Sequence, residues 1–188
     1  YEDERYLSIE ECVSFCTQFL VAGNETTTAT LAEAMRQLCL FPKEQVKIQK
    51  DPSIITNLVE ESLRLATPTS NMWRVAKEDC EIGGVIIPEG STILLKYFSS
   101  NHDEEIFEEP MRFDVNRENA RSHIAFGFGI HVCIGQLLSR QEMVNGWQVM
   151  FQKLKNFKLD TDPNELKYMP IILLRGLEEL PITFNKVI

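Results

Sequence analysis

The chain has 188 residues, enough for one domain with a sizeable core. Hydrophobic residues make up 44% and charged residues 25%, the balance of a globular chain and not of a disordered or fibrous one. The formal net charge of -9 argues against nucleic acid and against an anionic membrane surface, both of which need clustered Lys and Arg, and reads as solubility.

In chain order, the first predicted element is a long helix. Ser8-Ile-Glu-Glu11 is a capping box. Ile9, Val13, Cys16, Phe19, Leu20, Leu31, Ala34, Met35 and Leu38 then recur at helical spacing, which predicts a helix from about Ser8 to Leu40. Its centre, Gly23 to Thr30, is built of poor helix formers, and a soft polar centre in so long a helix points to function. Pro42 opens a short second helix. A third follows Asp51-Pro52-Ser53, with Ile54, Ile55, Leu58, Val59 and Leu63 on its apolar side and Pro68 as its stop.

Strand signals come next. Cys80 to Ile82, Gly83-Gly84 and Val85 to Ile87 read as a hairpin with a two-residue glycine turn. Ser91 to Leu95 reads as a further strand. Asn101 to His123 is polar and irregular, a loop of the length usually kept for function. Helical periodicity returns through Ile134, Leu137, Leu138, Val144, Trp147, Phe151 and Leu154, and the tail from Phe157 to Ile188 reads as short strands.

The cysteines Cys12, Cys16, Cys39, Cys80 and Cys133 are odd in number, widely spaced and free of any CxxC, which points to a reducing compartment. Cys12 and Cys16, one helical turn apart, read as buried core thiols. The longest apolar run, Phe19 to Ala22, is far too short to cross a bilayer, and no signal peptide is visible. The chain opens on Tyr-Glu-Asp-Glu-Arg with no initiator Met, which leaves any preceding segment open.

The most informative segment is Phe126-Gly-Phe-Gly-Ile-His-Val-Cys-Ile-Gly135. Glycines let backbone approach a flat ligand, and the helix N-terminus that follows favours a thiolate. Its FxxGxHxCxG pattern closely resembles the cysteine-ligand loop of the cytochrome P-450 family. Ala22-Gly-Asn-Glu25-Thr26-Thr27 resembles that family's oxygen-activating stretch, Glu61-Ser-Leu-Arg64 its ExxR motif, and Pro110-Met-Arg112-Phe113 its meander. Trp73-Arg74-Val75, Gly84 to Gly90 and Arg175 to Glu178 are similar too, so the resemblance covers essentially the whole chain.

The resemblance implies a mainly α fold with a smaller β portion. It makes residues 1–188 the C-terminal, haem-binding half of a single P-450 domain, with the upstream half absent. It implies haem b ligated by Cys133, with Arg74 and His131 on the haem propionates and Phe126, Gly127, Gly135 and Ala22 also against the cofactor. Glu25 and Thr26 would be the acid–alcohol pair that delivers protons, and Glu61, Arg64 and Arg112 a buried structural network. Substrate contacts would fall near Ser70, Met72 and Ile172.

The implied activity is insertion of one oxygen atom of O2 into a lipophilic substrate, by hydroxylation or epoxidation. The electrons would come from a ferredoxin or flavodoxin with its reductase, in a bacterial cytoplasmic protein with no membrane or nucleic-acid partner. Two alternatives stand beside it: a peroxide-driven peroxygenase or isomerase on the same scaffold, and a truncated, non-catalytic binding module. Glu25-Thr26 counts against the first, and the retained Cys133, Arg74 and His131 against the second. Asn24 replaces a frequent family histidine, and His102 stands where the family usually has arginine, which removes some support from the haem-side loops.

Overall fold

A computed structural model describes residues 6–187; the opening Tyr1–Arg5 and the terminal Ile188 lie outside the described residues. The first helix, α1, runs from Ile9 to Leu40. Ser8 caps it, with Glu11 N–H donating to the Ser8 hydroxyl and Ser8 N–H donating to the Glu11 carboxylate. The helix is continuous through Gly23 to Thr30. Its threonines adapt by turning inward: Thr26 Oγ1 donates to Ala22 O at 3.1 Å and Thr30 Oγ1 to Thr26 O at 2.9 Å.

Helix α2 covers Pro42–Lys50, and a short 3-10 turn leads into α3, Ile55–Ala66. Pro68 disfavours right-handed helix at Thr67, which closes α3 in the left-handed region at φ 38°. Buried Asn101 holds this bend: its side-chain amide donates to Thr67 Oγ1 at 2.8 Å, and its Oδ1 accepts from Ile124 N–H at 2.8 Å.

Among the described residues the strands form three separate antiparallel pairs. Strand β1 (Met72–Val75) pairs with β4 (Thr92–Leu95), and β2 (Cys80–Ile82) pairs with β3 (Val85–Ile87) across the Gly83-Gly84 turn. Both glycines have positive φ, +58° and +80°, as a tight hairpin turn requires. Strand β1 and the one-turn helix α4 (Tyr97–Ser100) carried no signal strong enough to be read from sequence. The stretch from Asn101 to His123 is irregular apart from a 3-10 turn at Ala120–Ser122. Helix α5 follows at Gln136–Lys153, and β5 (Leu154–Leu159) pairs with β6 (Ile182–Lys186).

The core lies where the second half of α1, α3, α5 and β5 meet. Leu38, Leu58, Leu63, Phe113, Trp147 and Phe157 are among its fully buried members. Gln45 locks α2 to this core, donating to Leu38 O and Phe157 O and accepting from Phe157 N–H.

The expected burial of Cys12 and Cys16 fails. Cys12 and Cys16 are exposed, as are Ile9, Val13, Phe19 and Leu20 beside them. Burial in α1 begins only at Ala29, because the elements that cover the helix reach only its second half. Ile134 just ahead of α5 and Leu137 and Leu138 in its first turn are exposed too, and the residues buried from that helix are Met143 and Trp147. Helical spacing identified an apolar face correctly but not what covers it.

Candidate active site

The cysteine loop is shaped by backbone. Gly127 and Gly129 take positive φ, +74° and +72°, and between them the chain folds back so that Cys133 N–H donates to Phe126 O at 2.9 Å. Gly135 is the N-cap of α5, and a Cβ there would stand 3.9 Å from Cys133 Sγ. The Cys133 thiol is free and exposed, two residues ahead of that N-cap.

The sulfur opens on a cavity of about 440 Å³, within the roughly 300–1,000 Å³ usual for small-molecule sites. Ala22, Glu25 and Thr26 reach its wall from α1, and Met72 and Arg74 from β1. Phe126, Gly127, His131 and Cys133 line it from the loop. Stretches separated by more than half the chain thus converge on one space.

Gly135, Ser70 and Ile172 do not line that cavity. Ser70 is buried and spends its hydroxyl on Ile172 O and Leu173 O, tying the bend after α3 to the C-terminal turn. Ile172 points outward at 67% exposure, while its neighbours Leu173 and Leu174 line the wall instead. Thr69, in the stretch after α3 where substrate contacts were expected, shares the lining, and sequence reading missed Tyr97 and Ser139 beside it. Ser139 Oγ and Thr27 Oγ1 are 3.0 Å apart, joining α5 to α1 beside the site.

Beneath the loop, Glu61 and Arg64 form a fully buried pair on α3. Arg64 places all five N–H groups: two on Glu61 and the rest on the carbonyls of Asn101, Pro110 and Arg112. The third side chain of this network is Arg117, whose Nε donates to Glu61 Oε1 at 3.1 Å and which is 8% exposed. Arg112, the expected partner, contributes only its carbonyl; its guanidinium is 55% exposed and pairs with Glu109 and Asp114. Both arginines lie in the same irregular stretch, and only the turn at Asp114 to Arg117 decides which one points inward.

His102, in the position of the family's usual arginine, stacks on Phe98 with ring centroids 4.2 Å apart, and Nδ1 lies 2.8 Å from Phe98 O. Burial first, and then the charges of Arg64 and Arg175, push its pKa down. Arg175 covers Phe98 at 4.8 Å to the ring centroid, so the support for this segment is rebuilt from stacking.

A mainly helical fold with one cysteine presented by a glycine-shaped loop, on a cavity walled by a long helix, is the architecture of a haem-thiolate protein. The family model of cytochrome P-450 matches residues 1–177, and this chain belongs to the cytochrome P-450 family.

It is 37% identical over 183 residues to a steroid C26-monooxygenase of Mycobacterium tuberculosis, covering 97% of this chain and 49% of that protein. It is 35% identical to the 6-deoxyerythronolide B hydroxylase of Saccharopolyspora erythraea, covering 98% and 45%. Among solved structures, a substrate-free Mycobacterium marinum cytochrome P-450 superposes with a TM-score of 0.91 at 33% identity, over 99% of this chain and 47% of that one. The tirandamycin C-bound monooxygenase TamI gives 0.90 at 35%, over 95% and 45%. The chain therefore spans about half the length of the curated relatives it matches.

Haem is the cofactor of this family, and the residues present fit one. The cavity offers a single thiol for iron, the cationic Arg74 and the imidazole of His131 for carboxylates, and apolar walls for a flat macrocycle. Among the described residues no cluster of three or more His, Cys, Asp or Glu could hold a metal ion. No helix among the described residues is long and apolar enough to cross a membrane.

Proposed function

We propose that the protein carrying this chain inserts one oxygen atom of O2 into a lipophilic organic substrate. The second atom leaves as water, reduced by two electrons from a ferredoxin or flavodoxin and its reductase. In this reading residues 1–188 are the C-terminal part of a single P-450 domain that holds haem b in the cytoplasm. The observation that carries it is the convergence of Cys133, Arg74, His131, Glu25 and Thr26 on one cavity.

Bound haem supplies the dioxygen chemistry, and a thiolate ligand favours O–O cleavage by pushing electron density toward iron. The chain's own residues do the rest. Cys133 ligates, and its loop fixes the sulfur through the Cys133–Phe126 backbone bond. Arg74 offers a planar fork to a carboxylate, and His131 lines the same cavity from the loop. Glu25 takes a proton from solvent on the exposed side of α1. Thr26 releases its bond to Ala22 O and passes a proton into the cavity. Ala22, Met72 and Leu173 give the substrate an apolar wall.

The test is the absorption spectrum of the reduced, full-length protein under carbon monoxide. A strongly red-shifted Soret band that disappears in Cys133→Ala supports the reading; a full-length protein with no haem band sinks it. Thr26→Ala should keep the band while uncoupling electron uptake from product formation, by about 100-fold or more for a lost proton donor.

A further inference from the structure

A second buried ionic network lies one residue before the ExxR glutamate. Glu60, 5% exposed, points away from Arg64 and accepts from Arg140 Nε at 2.8 Å and Arg140 Nη2 at 3.1 Å. His123, also buried, places Nε2 3.1 Å from the same carboxylate. Ala125 N–H donates to His123 Nδ1 at 3.2 Å, so Nδ1 is the unprotonated nitrogen and Nε2–H donates to Glu60. Arg121 approaches at 4.0 Å from the solvent side.

The far side of Arg140 faces the cysteine loop. Its guanidinium lies over the Phe126 ring at 4.6 Å to the centroid, and its Nη1 donates to Gln136 Oε1 at 3.0 Å. Phe126 is the residue whose carbonyl accepts the Cys133 N–H. A continuous path therefore runs from Glu60 on α3, through Arg140 on α5, to Phe126 and the backbone of Cys133.

The geometry points to Glu60, His123 and Arg140 as positioning residues for the Cys133 loop, a brace separate from Glu61, Arg64 and Arg117. Glu60 fixes the plane of the guanidinium through two N–H bonds, and a fixed guanidinium clamps the Phe126 ring through stacking. His123 closes the remaining side of the carboxylate and anchors the strand of backbone that enters the loop. Among the described residues the bond that holds Cys133 is its backbone N–H to Phe126 O, so its position is sensitive to what holds Phe126. The consequence for iron ligation rests on the haem-thiolate reading above; the mechanical claim does not.

The experiment is amide hydrogen exchange on the full-length, haem-loaded protein, comparing wild type with Glu60→Gln and Arg140→Gln. Exchange at Cys133 should rise by about tenfold, the scale of a lost charge-assisted hydrogen bond, with core amides of α3 unchanged. A rise at Cys133 that only keeps pace with the core amides, or no rise, overturns the brace. If Arg140→Gln fails to fold, Arg140→Lys keeps the charge opposite Glu60 but not the flat face. It should then raise Cys133 exchange in the same direction, and wild-type exchange in that variant overturns the proposal.

The carbon monoxide spectrum separates the two claims. A wild type without the red-shifted band refutes the haem-thiolate reading and leaves the brace to the same exchange comparison on the full-length protein as purified. A wild type with the band, and variants that lose it about tenfold faster, supports both.

Discussion

Single side chains decide the stability of the region under the site. Glu61 sits at 0% exposure with Arg64, Arg117 and the Asp114 N–H all bonded to it, so Glu61→Ala leaves two buried cations uncompensated. The expected cost is about 3–5 kcal/mol. Arg117→Ala should cost clearly more than Arg112→Ala, which removes only exposed ion pairs that solvent screens. Urea unfolding of the two single variants checks the ranking, and equal losses would return the network to Arg112.

Two titrations carry a sign. Burial pushes Glu60 up, but His123 and Arg140 outweigh it and hold it down at about 2, against an ordinary 4.5. A depressed carboxylate stabilises the fold above its unfolded value and loses that contribution as pH falls from 4.5 toward 2. Glu60→Gln should therefore flatten the acid limb of the stability profile in that window. His102 is a base held below 6.5, so the unfolded chain takes up its proton first and stability declines as pH drops below 6.5. His102→Gln should remove that decline and leave the lower window unchanged.

At the scale of elements, the turns and caps do what their residues require. The β2–β3 hairpin needs positive φ at both Gly83 and Gly84, and Gly84→Ala should destabilise it by about 1–2 kcal/mol with little effect elsewhere. Gly176 has a different reason. A Cβ there would stand 2.8 Å from Met169 Cε and 3.3 Å from Ala29 Cβ, so the glycine lets the C-terminal segment press against α1. The flexible Met169 tip can move but Ala29 is fixed on the helix, and Gly176→Ala should cost about 1–3 kcal/mol in thermal unfolding. The same contact region is tied by Glu33, which burial raises but Arg36 and Arg175 draw below its ordinary value, and which accepts from Tyr168 at 2.9 Å.

At the scale of the molecule, the core is concentrated on one side. The second half of α1, α3 and α5 bury Leu38, Leu58, Leu63 and Trp147, while Phe19, Leu20, Ile134, Leu137 and Leu138 remain exposed. Ile130 and Ile134, at 97% and 93% exposure, flank the cysteine itself. Apolar surface of this kind drives association. The 188-residue chain expressed by itself should bind a hydrophobic dye and self-associate, and Ile134→Gln combined with Leu138→Gln should reduce both. Unchanged dye binding in the double variant would place the accessible apolar surface elsewhere.

Local rules made much of this protein legible. The Ser8 capping box, Pro42, the Gly83-Gly84 turn and the spacing of Leu58, Val59 and Leu63 act over a few residues, and each produced the element it signalled. The order of Glu25-Thr26, Glu61-Arg64 and the Phe126–Gly135 loop was enough to place the chain in its family, because such motifs are contiguous. What covers Cys12, Cys16 and the apolar face of α5 was not legible, since periodicity marks a face and only packing supplies its partner. Nor was the choice of Arg117 over Arg112, or the binding of Glu60 to Arg140 eighty positions away. Those depend on how an irregular loop turns and which helices it brings together, and that is decided by the tertiary structure alone.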